Sequence, residues 1–183
     1  MKRRTTKLMI ATAAAVAAAY APAARAGDTT RRADEAPRYR IEIEPRADAG
    51  IDRVYGTTLF GAGLQLAVPI LKNGFLDGVN DNVAIAFGAD ILRYNDCVDR
   101  TCGGTFLVAP VAMQWNFFVA DRFSVFGEPG VFFYRGFFEQ PLSRSRAGFG
   151  PVVDVGGRYH LSDRFALTLR VGYPTTSIGL SFM

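Results

Sequence analysis

Residues 58–70 read TLFGAGLQLAVPI. One row of alternate positions holds Phe60, Ala62, Leu64, Leu66 and Val68, and the row between holds Gly61, Gly63, Gln65 and Ala67. A period of two belongs to a β-strand, whose side chains alternate between its faces. The second row decides the fold. In a soluble barrel or sandwich the apolar row turns inward, and the other row meets water and carries Lys and Glu freely. Glycine, alanine and one glutamine do not make such a surface. The inverse arrangement accounts for both rows: the apolar one faces lipid, and the small or polar one fits a narrow lumen.

The same rhythm recurs in residues 38–44, 82–94, 105–118, 123–135, 149–160, 165–173 and 176–182, which makes eight strands. In 123–135 it is poorest, because Glu128 and Gly130 share a row with Phe126 and Phe132, and Pro129 suggests a bulge there. From residue 38 onward no apolar run is long enough for a transmembrane helix. Closure into a barrel pairs every backbone polar group in a solvent that offers no partners. The predicted fold is all-β, an eight-stranded antiparallel up-and-down transmembrane β-barrel. A soluble periplasmic ligand-binding β-barrel is the alternative, and it would need an apolar interior cavity.

Charge placement supports export. The chain has 183 residues, 21 basic and 17 acidic, but five of the bases (Lys2, Arg3, Arg4, Lys7, Arg25) precede residue 27, leaving 16 bases against 17 acids. A nucleic-acid binder would keep its basic excess in the folded domain, so that class is excluded. The basic start, the apolar stretch Leu8–Ala21 and Ala24-Arg25-Ala26 read as a signal peptide, residues 1–26, cut after Ala26. Residues 27–37 are polar and aperiodic, a disordered leader, and the barrel domain spans 38–183. Beyond Lys7 there is a single lysine, Lys72. In an oxidising compartment Cys97 and Cys102, set in a turn-rich stretch, read as a loop disulfide.

The inward rows place Arg40, Glu42, Glu44, Asp90, Gln114, Glu128, Asp154, Arg158 and Arg170 in the lumen. An eight-stranded interior is just wide enough for side chains, so these groups are expected to pair with one another rather than line an open channel. Ala112 and Gly156 share those rows, where a large side chain would crowd the lumen and serine is expected to be tolerated. Trp115, Phe117, Tyr159, Phe165 and Tyr173 suit an interfacial aromatic belt. Two short connections carry Asp-Arg-Phe (Asp121-Arg122-Phe123 and Asp163-Arg164-Phe165) and fall on the side of both termini, the periplasmic side. The stretches 45–57, 95–104 and 136–147 fall on the opposite, extracellular side. The connection 71–81 is the exception, long for a periplasmic turn.

These features together resemble the small eight-stranded outer-membrane β-barrel proteins of Gram-negative bacteria, the opacity-type and porin-like group. The resemblance covers residues 38–183. It rests on the signal peptide, the strand rhythm, Gln114-Trp115-Asn116-Phe117 with its Asp121-Arg122-Phe123 turn, and the closing Gly172-Tyr173-Pro174 to Gly179-Leu180-Ser181-Phe182. It implies residence in the outer membrane, lipid and the barrel-assembly machinery as partners, and loops as the place for an extracellular ligand. It also implies that Phe182 is the assembly signal, although Met183 follows it where the family commonly ends on the aromatic residue. Its roles range over adhesion, envelope stability and narrow pores, none calling for a cofactor, a metal or catalysis. A second alternative is a lipid hydrolase of the lipid A deacylase type, which also uses a His-x-Ser pair, here His160 and Ser162. That pair lies at a periplasmic turn, away from the outer leaflet, and lacks the asparagine that follows the family's serine.

Overall fold

The computed structural model describes residues 39–51, 57–76, 78–98, 101–138 and 146–183. The expected signal peptide and leader, residue 77 of the β2–β3 connection and the tips of three loops lie outside the described residues. Eight strands follow in order: β1 (Glu42–Ile51), β2 (Thr58–Leu71), β3 (Asp81–Val98), β4 (Thr101–Ala120), β5 (Phe123–Phe138), β6 (Arg146–Ser162), β7 (Phe165–Tyr173) and β8 (Thr175–Phe182). Each pairs antiparallel with the next, and β1 pairs with β8, so the sheet closes into a barrel. The start of β1 and the end of β8 lie on one rim, called here the terminal rim; the other is the loop rim.

The strands run further than the periodicity predicts. β1 continues past Glu44 to Ile51, because Arg46 and Asp48 prolong the inward row of Glu42 and Glu44 while Pro45, Ala47 and Ala49 occupy the other. β3 and β4 likewise run to within two residues of each other, absorbing most of the expected loop 95–104. Pro129 makes no bulge. It pairs with Val153 in unbroken register, while register shifts fall beside both Asp-Arg turns, between Phe118 and Ala120 and between His160 and Ser162.

Burial assigns the faces. On the outside, Leu64, Val68, Phe87, Val111, Val131, Val153, Leu169 and Ile178 are all exposed. On the inside, Glu42, Glu44, Glu128, Arg158 and Arg170 are at most 2% exposed. Burying charge while exposing aliphatic surface is unfavourable in water and favourable in hydrocarbon.

The interior has two layers. Toward the loop rim it is apolar, with Leu59, Leu92, Tyr94, Phe106, Phe132 and Val152 packed together. Toward the terminal rim it is polar. Inward glycines make room for these contents: a β-carbon on Gly63 would sit 1.8 Å from Asp90 Oδ1, inside van der Waals contact.

The long β2–β3 connection folds over the outside of the wall. Asp81 and Val83 belong to the outward row of β3, opposite Phe117 and Trp115, yet they are 1% and 0% exposed. Asp81 accepts hydrogen bonds from Gly74 N and Phe75 N, both at 3.2 Å, and from Trp115 Nε1 at 2.7 Å. Gly74 N also donates to the Asp81 carbonyl at 2.9 Å. Phe75 sets its ring edge against Trp115, centroids 5.5 Å apart. A carboxylate on a lipid-facing row would be costly unless covered, and this connection covers it.

Candidate functional site

The polar layer is built around three arginines. Arg170 reaches from β7 to two acids: Nε donates to Glu128 Oε2 on β5 at 2.6 Å, and Nη1 donates to Glu44 Oε1 on β1 at 2.6 Å. A further bond joins Nη2 to Glu44 Oε2 at 3.1 Å. Nearer the loop rim, Arg46 makes a forked contact with Asp90, at 2.8 and 2.7 Å from Nη2, and also donates to Gln65. Nearer the terminal rim, Arg158 lies 2.9 Å from Glu42 Oε1 and donates to Asn116 Oδ1 at 2.5 Å. The ring of Phe126 lies against two of these cations, 4.4 Å from the Arg158 guanidinium and 5.0 Å from that of Arg170. Two guanidiniums on an aromatic ring gain cation–π attraction where water is excluded.

Amides link the ion pairs into one network. Glu128 Oε1 accepts from Gln65 Nε2 at 2.9 Å and from Gln114 Nε2 at 2.6 Å. Asn116 Nδ2 donates to Asn82 Oδ1 at 2.8 Å. Ser181 Oγ donates to Glu44 at 3.2 Å and pairs with Thr168 at 2.7 Å. Charge-assisted bonds of this kind tie β1 to β3, to β6 and to β7, and β5 to β7, across the lumen. Between the polar and apolar layers lies a pocket bordered by Arg46, Gln65, Asp90, Glu128 and Asp154, with room for about one water molecule. Just ahead of β1, burial and the nearby Glu42 carboxylate push the Tyr39 phenol up to about 12.

Of the residues expected in the lumen, Glu42, Glu44, Asp90, Gln114, Glu128, Asp154, Arg158 and Arg170 point inward and are buried. Arg40 does not. It precedes β1 and is exposed, because the inward row begins at Glu42. Arg46 and Asp48, which the sequence reading leaves in the stretch 45–57, are buried inside, as are Gln65, Asn82 and Asn116. The first two were readable as a continuation of the Glu42, Glu44 alternation.

The aromatic set divides. Trp115, Phe117, Tyr159 and Phe165 lie on outward rows near the terminal rim, where Trp115 and Phe117 rings are 4.8 Å apart and Phe165 meets Phe182 edge-on at 5.0 Å. Tyr173 departs from them. It packs on the interior cluster, 5.8 Å from the Phe132 ring, at the opposite rim. The histidine and serine of the hydrolase alternative do not come together: His160 is buried with Nε2 3.0 Å from Ser124 Oγ, whereas Ser162 is exposed and accepts from Arg164 N at 3.4 Å. Cys97 and Cys102 face each other in the β3–β4 register.

No protein-family model matches the sequence, and no curated protein does. Solved structures do match. Neisserial surface protein A is 11% identical with a TM-score of 0.54, over 78% of this chain and 94% of that one. Ail, the attachment invasion locus protein of Yersinia pestis, is 17% identical with a TM-score of 0.52, over 78% of this chain and 95% of that one, in its complex with the heparin analogue sucrose octasulfate. The fold is that of the small eight-stranded outer-membrane β-barrels. At these identities the likeness concerns the backbone, and within this outer-membrane barrel fold the lumen network is described by this chain's own residues.

Proposed function

We propose that the protein is a non-enzymatic integral outer-membrane barrel whose filled wall holds extracellular loops for a surface interaction. The observation that carries this is the inverted burial: charged Glu42, Glu44, Arg158 and Arg170 inside, aliphatic Leu64, Val153 and Leu169 outside. A pore is the weaker reading, because the network and the aromatic cluster occupy the lumen from rim to rim. Ail binds a heparin analogue, and by analogy the loops of this chain are the place for an anionic ligand. Exposed Arg93 and Arg135, near the loop rim on outward rows, fit the phosphates of the lipid headgroups around it. Trp115, Phe117, Tyr159 and Phe165 form the aromatic belt, Phe182 is the strand end read by the assembly machinery, and Cys97 and Cys102 form a disulfide.

Fractionation tests the first part. The chain should sediment with the outer membrane and require detergent for release; recovery in the soluble periplasmic fraction would overturn the lipid-facing assignment. Planar-bilayer recording tests the second. No unitary conductance is expected from the folded barrel, and steady ion-selective steps would replace the filled-wall reading with a pore.

A further inference from the structure

The β2–β3 connection has a construction that closing the barrel does not require. Between Leu71 and Asp81 a tight turn would serve, as Asp121-Arg122 serves between β4 and β5. Instead the chain turns outward and is pinned to the wall through Asp81, which collects two backbone N–H groups and the Trp115 indole. Pinning leaves the apolar side chains of the connection uncovered: Phe75 is 58% exposed, and Leu76 and Val79 are exposed too. These join Ile70 and Leu71 of β2, also exposed, and the Trp115–Phe117 pair of β4 in one apolar and aromatic patch at the terminal rim. Lys72, the only lysine beyond Lys7, is exposed on the same connection.

We propose that the lobe formed by residues 72–76 and 78–80 is a membrane-interface anchor, seating Phe75 and Leu76 at the headgroup–acyl boundary of the adjacent leaflet with Lys72 against anionic headgroups. The inference rests on the lipid-facing assignment of the barrel. Three observations point to lipid rather than to a protein partner. The patch is continuous with the outward apolar wall of β2 and β4, so a leaflet that covers that wall reaches the lobe without a gap. Aromatic rings beside a cation are the chemistry of the bilayer interface. The Asp81 carboxylate, 1% exposed and saturated by two backbone N–H groups and the Trp115 indole, is kept from facing the lipid.

The chain's single tryptophan, Trp115, makes the test direct. The barrel is folded into phosphatidylethanolamine–phosphatidylglycerol vesicles doped with phosphatidylcholine brominated either near the head or near the end of its acyl chains. A Phe75→Trp variant that keeps Trp115, and with it the Asp81 clasp, is read as the difference from wild type: the added indole should emit to the blue of water-exposed indole and be quenched most by bromine near the headgroup. Red-shifted, unquenched emission from position 75 beside a quenched Trp115 would overturn the anchor while leaving the barrel in its membrane. A blue shift without quenching by either lipid would mean that another protein surface covers the lobe, which also overturns it. Failure of both Trp115 and Trp at 75 to be quenched, with the protein not floating with the vesicles, would instead overturn the lipid-facing assignment itself.

Discussion

Arg170 and Glu44, 126 residues apart in the chain, meet through two hydrogen bonds inside the barrel, at 2.6 and 3.1 Å. The bond passes over β8, which lies between their strands, and Glu128 on β5 holds the other side of the same guanidinium. Arg170 therefore ties three strands that are not neighbours. Its replacement by methionine should cost on the order of 3–5 kcal/mol, because Glu44 and Glu128 stay buried without their cation. Reversible unfolding in detergent micelles measures the loss, and a change within error of zero would show that the network is wet and weak.

The outward rows give a second expectation. Leu66 and Val153 lie near the middle of β2 and β6 on the exposed face. Arginine at either should cost about 2–4 kcal/mol in a lipid bilayer, where a guanidinium must be carried into hydrocarbon. The same substitutions should be much milder in denaturant titrations if the wall faced water. Equal stability of wild type and variants in vesicles would reverse the faces.

Gly156 shows where pattern alone misleads. Its row suggests that serine fits, but a β-carbon there would lie 2.6 Å from the Leu169 carbonyl oxygen and 2.2 Å from the Phe126 ring. The ring can move only by leaving the two guanidiniums it faces. Gly156→Ala and Gly156→Ser should both destabilise, by roughly 1–3 kcal/mol as for overpacking. Heat-modifiable migration of folded and unfolded barrel on gels provides the readout, and wild-type behaviour of Gly156→Ser would show that the wall relaxes there.

The cysteine pair yields a chemical prediction. Cys97 and Cys102 oppose each other across β3 and β4, so unreduced peptides of the exported protein should contain the linked pair. A ring this small contributes only about 2 kcal/mol through chain entropy. Cys97→Ala should accordingly leave the barrel folded. Free thiols at both positions, found by mass spectrometry without reduction, would refute the bond.

Most of the wall was legible because alternation survives wherever the outward residue is large. Leu64, Leu66 and Val68 announce their row, and the small residues opposite declare a lumen. Legibility failed where that contrast faded. Past Glu44 the outward positions are Pro45, Ala47 and Ala49, too small to mark a strand, so Arg46 and Asp48 were hidden in a supposed loop. β5 looked irregular because Phe126 and Phe132 point inward, which makes sense only once Arg158 and Arg170 are seen flanking one ring and the aromatic cluster enclosing the other. The lobe was beyond reach of periodicity, since Asp81 keeps its outward place in the alternation and is buried only by a connection folding back onto it.

The passage of Arg170 over β8 bears on how such a barrel comes to completion. β8 offers Ser177, Gly179 and Ser181 to the lumen, and a β-carbon on Gly179 would sit 2.7 Å from Glu44 Oε1. The final strand is thus the low floor beneath a bridge whose piers stand on β1 and β7. β8 pairs with both β7 and β1, so the same strand that closes the sheet also sets the spacing at which the two piers meet. Ring closure and charge neutralisation thus depend on one strand, and a barrel without it would leave a buried charge and unpaired backbone facing lipid, both costly.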